Sequence, residues 1–201
     1  VSPLPVIAIL RGLREHEVAA QLDALLAAGI EQIEIPLNAS GAEATLGAAL
    51  GYASTRMRIG AGTVLDVAAI ERVAAGGARF VLTPNVNAAV IRRGRECGLD
   101  VIAGVATPSE AFAALDAGAT GLKLFPAISL GVNFVSALRA VLPPVQMVAV
   151  GGISAGNLRA FIEAGCTGVG LGSALYRAGR SAHQTYAVAM SLRHALEGCP
   201  A

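Results

Sequence analysis

Short runs rich in Val, Ile and Leu alternate along this chain with longer stretches whose apolar residues recur three and four positions apart. The runs are VIAILR (6–11), QIEIPL (32–37), RIGAGTV (58–64), RFVLTPN (79–85), DVIAGVA (100–106), GLKLFPA (121–127), QMVAVGG (146–152) and GVGLGSA (168–174). Each is short enough and sufficiently β-branched to predict a strand, and the stretches between them predict helices of about ten to fifteen residues. EVAAQLDALLAAG is one such helix. Four helices end in Ala-Gly or a close variant before the next strand: AAGIEQIEI, AAGGARFVL, DAGATGLKLF and EAGCTGVGLG. Glycine suits a helix C-terminus because it takes the left-handed conformation without strain.

Repeated βα units with short links make a parallel sheet, and eight wound by right-handed crossovers close into a (β/α)8 TIM barrel. No linker or low-complexity stretch divides the chain, so residues 1–201 are expected to form a single barrel domain. The alternative is an open doubly wound sheet. Its glycine-rich phosphate turn after the first strand is missing, since ILRGLRE is not GxGxxG.

Composition agrees with a barrel. Hydrophobic residues make up 54% of the chain and charged residues 14%, as expected when strands are covered outside by helices and packed inside. No apolar run reaches the length of a membrane span, and the start, VSPLPVIAIL, lacks the basic region and cleavage site of a signal peptide. The net charge of +1 includes no block of one sign, which argues against a nucleic-acid partner. Cys97, Cys166 and Cys199 are odd in number and widely spaced, which fits structural thiols in a reducing cytoplasm and offers no metal-ligand spacing.

Polar residues interrupt the apolar runs, mostly toward their C-terminal ends, where a barrel keeps its chemistry. They are Arg11, Glu34, Asn38, Thr63, the Thr83-Pro84-Asn85 triplet and Lys123. Lys123 is the only lysine in the chain. Residues two apart on a strand face the same side. If Leu122 and Leu124 face the helices, Lys123 faces the barrel interior, and Ile33 and Ile35 turn Glu34 inward in the same way. Either charge alone fits half of a core ion pair. A lysine, unlike an arginine, can lose its proton when desolvated, and burial beside Arg11 pushes it that way. A neutral amine attacks a carbonyl and forms a Schiff base. Glu34 would then shuttle protons and Arg11 would bind a carboxylate. Two glycine-rich segments, VGGISAGN (150–157) leading into a predicted helix and GLGSALY (170–176), resemble the phosphate loops of barrels or else simple tight turns.

The motifs ILRG, EIPLN, GAGTVL, TPN, GLKLFP and VGGI, in this order, resemble the class I 2-keto-3-deoxy-6-phosphogluconate and -galactonate aldolases over about residues 4–180. The resemblance implies that Lys123 forms the Schiff base with a 2-keto acid and that Glu34 is the acid/base. It places Thr63, Pro84 and Phe125 around pyruvate and Gly151, Gly152, Gly172 and Ser173 around a phosphate. Asn38 after Leu37, the Thr83-Pro84-Asn85 triplet and Val150 before Gly151 resemble the galactonate branch, where these positions would touch substrate. The implied reaction is reversible cleavage of 2-dehydro-3-deoxy-6-phosphogalactonate to pyruvate and glyceraldehyde 3-phosphate, by a homotrimer and without a cofactor. The C4-epimeric gluconate substrate is the alternative. From other mechanistic classes, a metal-dependent aldolase or hydrolase would need clustered ligands, and His16, His183 and His194 all fall on helical stretches. A lysine-independent phosphosugar isomerase and a non-catalytic phosphosugar-binding barrel also remain open.

Overall fold

A computed structural model describes residues 3–53 and 55–197; Cys199 and the final EGCPA motif beyond Glu197 lie outside the described residues. Eight parallel strands close into a barrel in sequence order, with β1 hydrogen-bonded to both β2 and β8. They are β1 (Val6–Ile9), β2 (Gln32–Pro36), β3 (Arg58–Gly62), β4 (Phe80–Leu82), β5 (Asp100–Val105), β6 (Gly121–Leu124), β7 (Gln146–Val150) and β8 (Gly168–Leu171). Helices follow each strand: α1 (Val18–Ala27), preceded by a short 3-10 turn, α2 (Ala42–Ala53), α3 (Val67–Ala75), α4 (Ala88–Glu96), α5 (Pro108–Asp116), α6 (Ala127–Val141), α7 (Leu158–Glu163) and α8 (Ala182–Leu196). The eight expected strands are all present, and the doubly wound alternative is replaced by closure of β8 onto β1.

Local chemistry accounts for the element ends. Asp66, Asn87, Thr107 and Ser181 each accept a backbone N–H from the first turn of α3, α4, α5 and α8, satisfying donors that a helix start leaves free. The repeated Ala-Gly endings behave as expected, with Gly29, Gly77, Gly118 and Gly165 all at positive φ. α6 is bent where Gly131 takes φ 77° and ψ 167°.

Two apolar layers hold the barrel. The larger, outer one lies between strands and helices and includes Ile33, Ile35, Leu122 and Leu124. The smaller one fills the interior with Ile7, Ile9, Phe80, Leu82, Ile102, Val148 and Val150. At the N-terminal end of the strands Arg58 lies over the Phe80 ring, 5.6 Å from its centroid, and pairs with Asp100 at 2.6 Å. That end is therefore packed shut, and the space for a ligand is left at the C-terminal mouth.

Candidate active site

Lys123 sits in the middle of β6 between Leu122 and Leu124, both fully buried in the outer layer. Strand alternation therefore turns it inward, where it is 6% exposed. Its register partners are Gly104 on β5 and Val148 on β7. Gly104 has no side chain, and the loop after β4 folds over it; a Cβ there would lie 2.5 Å from the Pro84 carbonyl oxygen. This brings Pro84 to the mouth beside the lysine strand.

Glu34 is turned inward on β2 by the same alternation, between Ile33 and Ile35, and is 1% exposed. Gly62 on β3 makes the room: a Cβ there would overlap the Glu34 carboxyl group. Glu34 Oε2 has no hydrogen-bond partner among the described residues. Burial pushes its carboxyl up to about 7, against the pull of Lys123 and Arg11. Burial also lowers the Lys123 ammonium from its ordinary value; Glu34 opposes that shift and Arg11 adds to it. No ion pair within 4.0 Å joins Lys123 to Glu34 among the described residues, so the core ion-pair reading of these two is not what the structure shows. They are coupled but separate, the amine moved down and the carboxyl moved up to about 7. Lys123 Nζ lies over the ring of Phe125, 4.8 Å from its centroid.

The other expected residues divide into two sides of the mouth and a structural pair. Arg11 follows β1 by two residues and donates from Nη1 to Asn38 Oδ1 at 2.7 Å. The amide oxygen of Asn38 thus steadies the guanidinium. Thr63 follows β3 in the left-handed region at φ 56°, the one non-glycine residue at positive φ among the described residues. With Asn38 it lines a hollow between the β2 and β3 loops. Thr83 departs from expectation. It is 1% exposed, its hydroxyl donates to the Asn85 carbonyl at 2.7 Å and accepts from Gly104 N–H at 3.3 Å, and so it ties the loop down. Asn85 is exposed on that loop and supplies its carbonyl to Thr83.

A cavity of about 380 Å³ opens on the other side of the mouth. Phe125, Val150, Gly151, Gly152, Gly172 and Ser173, all expected site residues, line it together with Arg11. The backbone N–H groups of Gly152, Ile153, Ser173 and Ala174 find no acceptor among the described residues, which makes the wall a set of free donors suited to an anion. A helix start does not supply them: α7 begins only at Leu158, and α8 only at Ala182. Asn157 holds the first loop closed, accepting from Ser154 N–H and donating to the Gly152 carbonyl, both at 2.9 Å.

Tyr176 and Arg177 also line this cavity and were not singled out in the sequence. Gly172 to Tyr176 forms a single hydrogen-bonded turn, and Arg177 donates from Nε to the Ser173 carbonyl at 3.0 Å. The signal was an arginine four residues after the serine of a Gly-Ser turn, the spacing that puts two residues on one side of a helical turn.

His16, His183 and His194 are exposed, and among the described residues no group of three or more His, Cys, Asp or Glu is placed to hold a metal ion. Cys166 is buried in the outer layer and its thiol is pushed up to about 11 by that burial.

The family model for KDPG and KHG aldolase matches residues 1–190. The chain is 44% identical over 185 residues to 2-dehydro-3-deoxy-6-phosphogalactonate aldolase of Escherichia coli strain K12, covering 92% of this chain and 90% of that protein. Among solved structures it resembles a native KDPGal structure with a TM-score of 0.95 and 42% identity, over 98% of this chain and 97% of that one. It also resembles a cube-shaped protein cage designed by fusing symmetric oligomeric domains, with a TM-score of 0.94 and 43% identity, over 97% of this chain and 73% of that one.

Proposed function

The chain belongs to the KDPG and KHG aldolase family, and we propose that it cleaves 2-dehydro-3-deoxy-6-phosphogalactonate reversibly to pyruvate and D-glyceraldehyde 3-phosphate through a Schiff base on Lys123. The observation that carries this reading is the buried, unpaired couple of Lys123 and Glu34 at the barrel mouth, with burial moving the amine down and the carboxyl up. A neutral amine and a carboxyl near 7 are what imine chemistry at neutral pH requires.

The steps assign themselves to the groups in place. Nζ of Lys123 attacks the C2 carbonyl carbon, and the oxygen, protonated by Glu34, leaves as water to give the iminium. The Glu34 carboxylate takes the C4 hydroxyl proton, the C3–C4 bond breaks, and its electrons flow into the iminium to give the aldehyde and an enamine. Glu34 returns the proton to C3, and water releases pyruvate. Arg11, steadied by Asn38, holds the carboxylate of the keto acid, with Thr63 and Pro84 around it. The free N–H groups of the Gly151-Gly152 and Gly172-Ser173 loops hold the phosphate, with Arg177 beside them. Val150 is 5% exposed in the cavity wall. It offers no hydroxyl to a C4 oxygen, and with Asn38 it supports the galactonate epimer, as does the likeness to the galactonate enzyme.

The same reading makes the whole chain one catalytic domain that works as a homotrimer in the cytoplasm. The designed cage, made by fusing symmetric oligomeric domains, is a relative that supports an oligomer. No helix among the described residues is long and apolar enough to cross a membrane.

The test is borohydride reduction in the presence of pyruvate, followed by peptide mass mapping. A reduced pyruvyl adduct on Lys123 is expected. The galactonate and gluconate epimers are then compared by kcat/KM, with the galactonate preferred. Phosphosugar binding without an adduct overturns the Schiff-base reading in favour of an isomerase or a binding protein.

A further inference from the structure

We propose that the ring face of Phe125 stabilises the positive charge formed on Lys123 Nζ during turnover, which makes Phe125 a catalytic residue in addition to a wall of the pocket. The inference rests on the Schiff-base reading above. Nζ stands 4.8 Å from the ring centroid, inside the range of about 6 Å over which an aromatic face attracts a cation. The ring stands at the mouth, 39% exposed, with its backbone tied down. The Phe125 N–H donates to the Val105 carbonyl at 3.2 Å, and the ring packs against Gly151, where a Cβ would lie 3.2 Å from Phe125 Cδ2.

The charge in question appears on this same atom. When the carbinolamine loses its hydroxyl as water, the nitrogen lone pair forms the second C–N bond and Nζ becomes positive. When the C3–C4 bond breaks, its electrons neutralise Nζ in the enamine. The carbinolamine and the enamine are neutral at Nζ, so a cation-stabilising ring favours the iminium over the states on either side. Such differential stabilisation lowers the barrier to loss of water, whose transition state already carries part of the charge, and gives no help to C3–C4 cleavage, which discharges Nζ.

Two charged groups face Nζ besides the ring. Arg11, from the loop after β1, disfavours a cation there, and Glu34, from β2, favours one. Glu34 cannot act as a fixed counter-ion, however, because the proton being moved resides on it in part of the cycle. The ring does not titrate. Of these three groups it is the one whose attraction for the cation is the same at every step.

The test replaces Phe125 in the full-length protein with 4-fluoro-, 3,5-difluoro- and 3,4,5-trifluorophenylalanine, which keep the ring's shape while draining its negative face. The variants Phe125→Tyr and Phe125→Leu complete the series. We expect the rate of borohydride trapping with pyruvate, which reads formation of the iminium, to fall stepwise with fluorination, by about 3- to 30-fold across the series. Phe125→Tyr should stay near wild type in trapping, and Phe125→Leu should match or exceed the trifluoro loss. A flat trapping rate across the fluorinated rings, with the wild-type adduct present on Lys123, overturns the role of the ring and leaves the aldolase reading intact. Absence of the wild-type adduct overturns both.

Discussion

Replacing Glu34 by Gln removes a carboxyl that the fold has made costly to ionise. The side chain is 1% exposed, and its carboxyl is pushed from an ordinary 4.5 up to about 7, chiefly by burial. Between these values the unfolded chain gives up the proton and the folded chain keeps it. Stability therefore falls as pH rises from about 4.5 to about 7 and levels off above. The interval from 4.5 to about 7, at about 1.4 kcal/mol per pH unit, sets the loss at about 3 kcal/mol. Gln has nearly the same shape and does not titrate. Glu34→Gln is therefore expected to gain about 3 kcal/mol over wild type at pH 8 relative to their difference at pH 4. In a chain of this size that is roughly 6–12 °C in Tm. The assay is urea unfolding of both proteins at the two pH values and matched concentration. Taking the difference between pH values cancels whatever the amide changes in packing. The same variant should lose about 100- to 10,000-fold in kcat, the range for removing a positioned acid–base group. A change of less than about 1 kcal/mol between pH 4 and pH 8 would refute the argument that burial governs this carboxyl.

Two further outcomes follow from close contacts. Gly62→Ala places a methyl where the Glu34 carboxyl lies; kcat should drop about 100-fold through the displaced acid–base group, as measured by steady-state kinetics beside a thermal melt that confirms folding. Arg177→Ala removes the cation at the glycine loops; KM for the phosphorylated substrate should rise about tenfold, while trapping of pyruvate, which carries no phosphate, should be unchanged.

What could be read from the sequence followed the physics of parallel strands. Strands buried on both faces announce themselves as apolar runs, and inside them alternation is strict, so Glu34 and Lys123 could be turned inward from Ile33, Ile35, Leu122 and Leu124 alone. The strand ends were not legible. The run 79–85 holds a strand of only Phe80–Leu82, and 168–174 one of Gly168–Leu171. The residues beyond, Thr83-Pro84-Asn85 and Gly172-Ser173-Ala174, are small or polar but carry no charge to break the run, so the strand boundary was not marked. Most of the candidate site lies in that overrun, where alternation no longer holds. The buried duty of the Thr83 hydroxyl was hidden for this reason, as was the turn that brings Arg177 to the cavity. The contact between Asn38 and Arg11 spans 27 positions in the chain, and no local pattern records it.

The lone lysine has a practical side. Arginine keeps its proton throughout the usable pH range, so every other long cationic side chain in this protein is inert toward amine reagents, and the three histidines carry no primary amine. Lys123, depressed by burial, is both the single side-chain amine and one with more free base at neutral pH than an ordinary lysine. An amine-directed label on a side chain is therefore an active-site label, and its stoichiometry counts competent sites. Trypsin reports the same event by omission. The unmodified chain is cut after Arg95, Lys123 and Arg139, whereas a chain reduced onto a keto acid loses the middle cut and releases residues 96–139 as one fused peptide.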